Sequence, residues 1–525
     1  IEAGVSHHAA TGRSDLLLIA RRAADRVAAD FAGRGPAFTP GHEEIEIALL
    51  RLFGVTHHAP YLDLARQFLE QRGRQHGFAA SLARQMRSAG SRSRAVAAGR
   101  RAYVAAHGDR ATYTVPPGNR TKRPRSSHLR WLASALSGKY FQQHAPIRRQ
   151  TAPVGHAVRF GYLQAATAML CRTANDDTLL PGLVTRWERM VTRRMYVTGG
   201  LGALPGLEGF GRDDELDPEV AYAETCAALA SMLWNWQMSL ITAEARYSDL
   251  LEWQMYNAAA VGMGLGGDTY FYNNPLACRK DTPIVRRAWY AVPCCPSNLS
   301  RTWADLGKTI YTVSGDNVDV YIHQWIGNRA HVDPGVPVEI GIASGLPWSG
   351  EVAVRVTPEQ AAQIAIHLRV PSWVDEAEVR VNGEAVVVPA AVHPAPPPAS
   401  GFDPRLARWL TLRRRWTAGD TISLRFDLPI HARKAGPRVA GHAGKVALTR
   451  GPLVYCLESI DNPGIDIFAA AIDLRSLRPE PAPDLLGGVV VLRGRTADGR
   501  PVTAIPYALW GNRGASEMTV WVAGQ

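Results

Sequence analysis

Cysteine is scarce in this chain, with 6 in 525 residues at irregular spacing. Such usage argues against the dense disulfide framework of small secreted domains. Long apolar runs are also missing: no stretch of 18 apolar residues occurs, so we expect no membrane-spanning helix. The first residues show no basic stretch followed by an apolar one, as a signal peptide would. This absence favours a cytoplasmic location.

Charged residues make up only 20% of the chain, and they are unbalanced, giving a net charge of +12. A basic balance can indicate nucleic-acid binding. Much of the excess, however, lies in one region, Arg72 to Arg130, and no aromatic residues alternate with the basic ones in the way that base stacking requires. We therefore expect neither a nucleic-acid partner nor a membrane partner.

The first 310 or so residues have the periodicity of helices. Apolar residues recur every three or four positions in Glu43–Phe53, Pro60–Gly73, His156–Leu170 and Tyr222–Thr242. Helix pairs joined by short loops predict a toroid or solenoid of α-hairpins. The basic segment at about 73–130 interrupts the pattern and is poor in large apolar residues. There we expect a long exposed insertion or a partly disordered stretch.

After about Gly315 the period changes to two. Segments such as VPVEIGIAS, EVAVRVTP and TISLRFDL alternate apolar and polar residues, with turn residues between them. The sequence therefore predicts a multidomain protein, α and then β. A helical domain spans residues 1–312, a β-sandwich spans 313–430, and a second β-rich domain spans 431–525.

Two of the cysteines, Cys294 and Cys295 in VPCCPSN, are adjacent. Neighbouring Cα atoms lie about 3.8 Å apart, below the roughly 4.4 Å that ordinary disulfides need, which leaves packing, metal binding or thiolate chemistry. Pro296 and a helical pattern follow. Proline is favoured at the first helical position. We therefore predict that both thiols lie just outside a helix N-terminus, where the partial positive charge lowers a thiol pKa.

A third thiol strengthens the metal interpretation. Glu224 and Cys226 lie two positions apart in AYAETCAALA, and with Cys294 and Cys295 they would make a four-coordinate set suited to zinc. Positions two apart on an α-helix point about 200° apart. We therefore expect Glu224 to Cys226 to lie in a turn or extended piece, with the helix starting afterward. Small buried cysteines in a turn are the alternative.

The glycine-rich loop YVTGGLGALPGLEGFGRDDELDPE is the other candidate for chemistry, since such loops hold catalytic carboxylates. A solvated acidic loop is the alternative. Glu208 stands apart because Leu207 and Phe210 flank it, and an apolar setting raises the pKa of a carboxyl, as a general acid requires. The candidate carboxylates are Glu208, Asp213, Asp214, Glu215, Asp217 and Glu219.

Taken together, these motifs resemble those of glycoside hydrolase family 127, the β-L-arabinofuranosidases. The resemblance covers about Gly41 to Glu458 and rests on GHEEIEIALLRLFGVT, YLDLARQFLEQRG, QHAPIRRQTAPVGHAVR, MYVTGGLGA, LEGFGRDDELDPEVAYAETCAA, EWQMYNAAAVG, YFYNNPLACR, VPCCPSN and ALTRGPLVYCLE. It implies an (α/α)6 barrel as the catalytic domain, followed by β-sandwich domains. It also implies a homodimer formed through a β-sandwich domain.

The resemblance also implies roles for individual residues. Glu224, Cys226, Cys294 and Cys295 would hold a zinc ion, with Cys294 as the nucleophile and Glu208 as the general acid/base. Four further residues fall at motif positions that resemble sugar contacts: His42, His156, Glu252 and Tyr272. The two histidines could equally be core residues that hold loops.

The function implied is retaining hydrolysis of β-L-arabinofuranosides in oligosaccharides or glycoconjugates, with release of L-arabinose. A glycosidase for another rare sugar is one alternative. A non-catalytic carbohydrate-binding protein is another, because a closed four-ligand zinc site is usually structural. A metal-free epimerase or lyase on a similar helical toroid is the third.

The chain departs from the family pattern at two places. Only about 40 residues precede GHEEIEIALL, where the family has more helix, so we expect an incomplete barrel. The basic insertion precedes QHAPIRRQ, in which Arg149 stands where the family usually has an acid. For that reason His144 in the same motif is not assigned as a ligand.

Overall fold

The computed structural model describes residues 1–107, 127–290, 292–314 and 318–525. Within these ranges the chain is mainly helical up to Asp305 and mainly β-strand from Tyr311 onward, which confirms the predicted order of an α part and a β-rich part. Among the described helices, none combines the length and the hydrophobicity that crossing a bilayer requires. The helices are α1 (Glu2–Thr11), α2 (Asp15–Phe31), α3 (Ile45–Thr56), α4 (Ala59–Gln71), α5 (Phe78–His107), α6 (Ser127–Leu136), α7 (Ala157–Ala174), α8 (Leu180–Arg193), α9 (Thr225–Thr242), α10 (Ala245–Gln254) and α11 (Cys294–Asp305).

Helices α7 and α9 lie at the centre of the α part. Almost all residues of their first three turns are buried, because small and apolar residues occupy every side of both helices, as in AATAML of α7 and TCAALASML of α9. Trp187 of α8 donates a hydrogen bond to Asn235 of α9 at 2.7 Å. The N-terminal ends of α7 and α9, at His156 and Glu224, meet in the candidate site.

One local prediction was incomplete and another was wrong. The basic segment, expected as a long exposed insertion or a partly disordered stretch, forms helix α5 over Phe78–His107, most of whose described side chains are exposed; residues 108–126 of the segment lie outside the described part of the chain. Alanine and arginine are strong helix formers even without an apolar face. In addition, α11 begins at Cys294, so both cysteines lie inside its first turn rather than before it. The backbone N–H groups of the first helical turn have no partner within the helix, so proline, which lacks this group, is tolerated at every position of that turn. Pro296 therefore did not mark the start of the helix.

The β-rich part follows the predicted alternation. In the strand Glu351–Pro358, Val352, Val354 and Val356 are buried and the residues between them are exposed, so one face of that strand packs on the core. The strands are β1 (Ala277–Cys278), β2 (Tyr311–Val313), β3 (Asp319–Ile322), β4 (Asn328–Val332), β5 (Val338–Ser344), β6 (Glu351–Pro358), β7 (Ala362–Val370), β8 (Ala377–Val381), β9 (Glu384–Val386), β10 (Arg408–Trp416), β11 (Asp420–Phe426), β12 (Ile430–Lys434), β13 (Lys445–Arg450), β14 (Leu453–Glu458), β15 (Ala471–Ala482), β16 (Val489–Thr496), β17 (Pro501–Pro506), β18 (Met518–Thr519) and β19 (Trp521–Gly524).

These strands form three sheets. Their orders are β10-β7-β3-β2, β4-β5-β6-β11-β8-β9 and β1-β18-β14-β17-β16-β15-β19-β13-β12. Strand β1 lies within the α part of the chain and pairs with β18, with Ala277 opposite Thr519. The side chain of Asn257 also bonds the backbone of Pro452 and Val454. The last sheet is therefore joined directly to the segment that follows α10.

Candidate active site

Three sulfur atoms and one carboxylate converge between the N-termini of α9 and α11. The Cys226 and Cys295 sulfurs are 3.4 Å apart, and those of Cys294 and Cys295 are 3.9 Å apart. Glu224 Oε1 lies 3.8 Å from the Cys294 sulfur and 3.9 Å from the Cys295 sulfur. All four predicted ligands thus come together, although they derive from segments about 70 residues apart.

Helix geometry explains how Glu224 and Cys226 reach one point. Glu224 has an extended backbone and is the N-cap of α9, while Cys226 lies in the first turn of that helix. The expectation that the helix starts only after Cys226 was wrong: α9 begins at Thr225, and Glu224 alone is non-helical, which is enough to turn its side chain toward Cys226. Both α9 and α11 direct their N-terminal ends at the cluster, which favours anionic groups there.

The donor set fits a tetrahedral cation. Zn–S bonds of about 2.3 Å would separate two sulfurs by about 3.8 Å, close to the distances observed. Glu224 is 2% exposed, and its Oε2 is buried with no hydrogen-bond partner among the described residues. In the same part of the chain, no lysine or arginine forms an ion pair with Glu224. A buried carboxylate in this position therefore has no protein counter-charge.

The ionisation of the cluster reflects this lack of positive charge. Burial and the nearby Cys294 raise the pKa of Glu224 well above its ordinary value. The pKa of Cys226 is raised by its hydrogen bond with Cys294, and that of Cys295 is raised by burial. Hydrogen bonds from those two thiols lower the pKa of Cys294. The protein alone thus favours one anion, on Cys294, and a bound cation would allow more.

Glu208 is held next to this cluster by a turn that glycine makes feasible. Its φ is +50°, in the left-handed region, and its carbonyl accepts a hydrogen bond from Ala157 N at 3.0 Å. The next residue, Gly209, lies so close to Gly155 that an added Cβ would come within 2.0 Å of the Gly155 oxygen. Only glycine therefore allows this approach of the two backbones.

Two side chains orient the Glu208 carboxylate. His156 Nδ1 accepts the N–H of Val158 at 3.2 Å, which leaves Nε2 to donate to Glu208 Oε2 at 3.2 Å. The Tyr222 hydroxyl donates to Glu208 Oε1 at 3.0 Å. One Glu208 oxygen, one from Glu224 and a His156 nitrogen lie within 4.8 Å of one another. Glu208 therefore adjoins the cysteine cluster through Glu224.

The predicted rise in the pKa of Glu208 was wrong. Burial does raise this pKa, but the hydrogen bonds from His156 and Tyr222 lower it by more, so it lies below its ordinary value. The side chain is 40% exposed. In the free protein Glu208 is thus a carboxylate.

The other residues predicted to contact the sugar are Tyr272, His42 and Glu252, and the first two differ from the third. The Tyr272 hydroxyl lies 3.1 Å from the Cys294 sulfur, and the exposed His42 packs its ring against that of Tyr162, with ring centroids 5.7 Å apart. Glu252 is different. It is 1% exposed, and both of its oxygens accept hydrogen bonds, from Arg369 at 2.6 Å and from Trp373 at 2.9 Å. Its predicted contact with a sugar stays a prediction, one to which this geometry gives no support.

The remaining acids of the glycine-rich loop have structural partners. Asp213 pairs with Arg189 and Arg194, Asp214 with Arg193 and Arg438, Glu215 with Arg130, and Glu219 with Arg279, while Asp217 accepts the backbone N–H of Glu219. His144 belongs to neither of the candidate metal groups found in the described residues.

Sequence reasoning missed two residues of the site. Tyr222 binds Glu208, and Asn298 donates from Nδ2 to the Cys226 sulfur at 3.0 Å and to the Tyr162 hydroxyl at 2.8 Å. Asn298 lies three residues after Cys295, one helical turn on, and Tyr222 lies two before Glu224. Their closeness in sequence to the predicted ligands was the signal from which both could have been identified.

Comparison with known proteins decides the family. A sequence model described as "Beta-L-arabinofuranosidase, GH127 catalytic domain" matches residues 1–308. Models of the family's middle and C-terminal domains match residues 319–428 and 430–523. The chain belongs to glycoside hydrolase family 127. This family 127 protein is thus a glycoside hydrolase, as the motifs predicted, and the non-catalytic, epimerase and lyase alternatives are set aside.

Individual relatives agree with this assignment. The family 127 chain is 31% identical to a "Non-reducing end beta-L-arabinofuranosidase" of Bifidobacterium longum subsp. longum, over 99% of this chain and 77% of that protein. It is similar to a solved GH127 β-L-arabinofuranosidase from Geobacillus stearothermophilus T6, with 34% identity, a TM-score of 0.82, and coverage of 100% of this chain and 79% of that one. Another solved GH127 β-arabinofuranosidase has 27% identity and a TM-score of 0.80, over 100% of this chain and 75% of that one.

Proposed function

We propose that the protein is a retaining β-L-arabinofuranosidase that releases L-arabinose from oligosaccharides or glycoconjugates. The observation that supports it most is the meeting of two groups at Glu224: the cysteine cluster on one side and the Glu208 carboxylate on the other. Both groups adjoin Glu224, and retaining hydrolysis needs a nucleophile and an acid/base at one site.

Glu224, Cys226, Cys294 and Cys295 would hold a zinc ion, which when bound supplies the positive charge that keeps the sulfurs ionised at neutral pH. Cys294 is the one partly exposed thiol of the four-residue cluster; Cys226 and Cys295 are buried. The substrate can therefore reach the Cys294 sulfur, and the Tyr272 hydroxyl next to it can donate a hydrogen bond to the thiolate.

The reaction has two steps. Glu208, protonated, gives its proton to the leaving oxygen while the Cys294 sulfur attacks the anomeric carbon, so a C–O bond breaks and a C–S bond forms. The Glu208 carboxylate then takes a proton from water, whose oxygen displaces the sulfur and restores the original configuration. A bound substrate would cover the exposed part of Glu208 and raise its pKa, which supplies the protonated form for the first step.

Several finer features belong to the same proposal. The helices of the α part would close into an (α/α)6-type barrel, and the first two β-sheets into a sandwich, with domain limits near residues 312 and 430. The predicted homodimer and the cytoplasmic location stay predictions. Light scattering during size-exclusion chromatography tests the former.

The substrate test uses p-nitrophenyl β-L-arabinofuranoside beside its α-anomer and the pyranoside. We expect hydrolysis of the β-furanoside alone, loss of activity with a chelator, and recovery on addition of zinc. Cys294→Ser should abolish turnover, whereas Cys278→Ser, at a buried cysteine outside the cluster, should not. Near-native turnover by Cys294→Ser would refute the nucleophile.

The acid/base is tested separately. Glu208→Gln should lose about 10²- to 10⁴-fold in kcat/KM, the usual contribution of a positioned proton donor. Glu219→Gln in the same loop, where the carboxylate binds Arg279, is the matched control and should stay near the native rate. Equal losses in both variants would indicate damage to the loop, not lost proton transfer.

A further inference from the structure

A partly exposed arginine, Arg159, lies near the catalytic groups. It belongs to the first turn of α7, three residues after His156. Its guanidinium lies over the rings of Tyr140 and Phe141, with Cζ 5.0 and 4.9 Å from the two ring centroids. The Tyr140 ring also contacts that of His156, with centroids 5.5 Å apart. Tyr140 therefore connects Arg159 to the histidine that binds Glu208.

Among the described residues, the guanidinium of Arg159 has neither a hydrogen-bond acceptor nor a carboxylate partner. Its Nε and Nη1 atoms are buried without a hydrogen bond, whereas the buried Arg72 binds Glu43 and Glu46 at 3.0 and 2.8 Å. A guanidinium that has lost water and gained no acceptor is costly. Because the side chain as a whole is only partly buried, Nη2 is the nitrogen left to bind a molecule that enters the site.

The charge of Arg159 acts on the catalytic site. The surrounding protein desolvates His42 and so lowers its pKa, and Arg159 lowers this pKa further, while the Cys294 sulfur raises it. Burial raises the pKa of Tyr140, an effect that Arg159 opposes and Glu208 strengthens. Arg159 therefore lies within electrostatic reach of the space between the predicted sugar contact, the nucleophile and the acid/base.

The leaving group would depart on the Glu208 side of the site. Glu208 would give its proton to the leaving oxygen while Cys294 attacks the opposite face of the sugar. Arg159 is connected to the first of these sides, because Tyr140 contacts both Arg159 and the His156 ring, which binds the acid/base. A benzene ring on the leaving oxygen would extend about as far as the Tyr140 ring does, so a charged group at its far end would reach Arg159.

We propose that Arg159 selects substrates whose leaving group carries a carboxylate, and that its Nη2 donates a charge-assisted hydrogen bond to that carboxylate. This assignment rests on the proposed function, which supplies the arabinose site and the roles of Glu208 and Cys294. Both of those groups favour the anionic form in the free protein, so they would repel an anionic leaving group if Arg159 did not attract it. Arg159 thus decides the sign of the preference.

Two glycosides that differ only in one charge test the proposal: para-carboxyphenyl and para-carbamoylphenyl β-L-arabinofuranoside. The ratio of their kcat/KM values, carboxylate to amide, should fall at least about ten-fold from the unmodified protein to Arg159→Met, the value of one charge-assisted hydrogen bond. Arg172→Met removes an exposed arginine at the other end of α7 and should leave the ratio unchanged. Because the ratio is compared between proteins, the different reactivities of the two leaving groups cancel.

Ionic strength provides a test that needs no variant. Raising the NaCl concentration from about 0.05 M to about 0.5 M screens the interaction between charges. On the unmodified protein the ratio should therefore fall with added salt, because the attraction by Arg159 weakens. It would rise if repulsion by Glu208 and Cys294 dominated.

An equal ratio in the unmodified protein and folded Arg159→Met, or a ratio that stays constant or rises with salt, would overturn the proposal. Failure to cleave either glycoside would instead contradict the proposed function. In that case titration calorimetry with the same glycosides and proteins measures the ratio of affinities, and an equal ratio in the unmodified protein and Arg159→Met would overturn the role of Arg159 as well.

Discussion

Two sets of buried acids in the same α part are neutralised in opposite ways. Asp249 and Glu252 of α10 bind Arg369 at 2.7 and 2.6 Å, and all three side chains are almost fully buried. Glu224 is equally buried, but its neighbours are three cysteines and no arginine. The first set is paired with an arginine; the second has no arginine or lysine partner among the described residues, and its donor atoms could hold a cation.

This difference separates a structural acid from a functional one. Arg369 comes from strand β7, so the Asp249–Glu252–Arg369 triad ties the β-rich part to helix α10. A buried charge that has lost its partner is costly. The cluster around Glu224 has no such partner among the described residues, and burial raises the pKa of Glu224 well above its ordinary value instead.

The largest expected effect comes from breaking the paired set. Arg369→Met leaves two carboxylates buried without a counter-ion, so the free energy of unfolding should fall by about 3–5 kcal/mol, as measured by urea denaturation. Arg413→Met, which removes an exposed partner of Asp319, is the control and should cost less than about 1 kcal/mol. Similar losses in the two variants would show that the buried triad contributes nothing special.

The cluster around Glu224, which has no arginine partner, is tested by replacing Asn298, which donates a hydrogen bond to the Cys226 sulfur. Asn298→Ala removes the hydrogen bond to the Cys226 sulfur and should weaken zinc binding about 10- to 100-fold, as lost support of a metal ligand commonly does. Competition with a chromophoric chelator measures this affinity. Ser300→Ala on the same helix, where the hydroxyl donates to the Pro296 carbonyl, should leave it unchanged. Unaltered zinc affinity in Asn298→Ala would mean that Cys226 needs no such support.

A smaller effect is expected from a buried titratable group that has no charged partner and stays uncharged. His323 is hydrogen-bonded to Ser248 at 2.6 Å and Thr312 at 2.7 Å, and burial, helped by Arg369, lowers its pKa to about 3. In the unfolded chain His323 has an ordinary pKa near 6.5, so as the pH falls it binds a proton at a higher pH than in the folded protein. Stability should therefore drop by about 2 kcal/mol between pH 7 and pH 5.

His323→Gln separates this contribution from those of the other titrating groups. The variant should lose about 2 kcal/mol less than the native protein between the two pH values, as measured by urea denaturation at each. An identical pH dependence in both proteins would contradict the assignment.

The sequence was sufficient for the order of the domains and for the composition of the cluster. The period of the apolar residues distinguished helices from strands, and the adjacent cysteines with Glu224 and Cys226 indicated the four residues that converge in the cluster. The start of α11 was misplaced because proline is tolerated throughout a first turn. Helix α5 was missed because its composition lacks an apolar face, although its residues are good helix formers.

Other features depend on contacts that no local pattern records. The pKa of Glu208 is set by His156, 52 residues away, and the apolar neighbours that suggested a rise are overruled by that bond. Glu252 has the sequence context of a family motif, yet its carboxylate binds Arg369, 117 residues further along the chain. Such pairings become visible only in the folded protein.

The backbone approach of Gly209 to Gly155 has a practical consequence for protein engineering. A Cβ added at Gly209 would meet the Gly155 oxygen, and one added at Gly155 would meet the Lys139 oxygen, each at 2.0 Å, so we expect a library that varies these positions to consist mainly of inactive clones. Attempts to evolve a new sugar preference should hold these two codons fixed and diversify the rim around His42 instead.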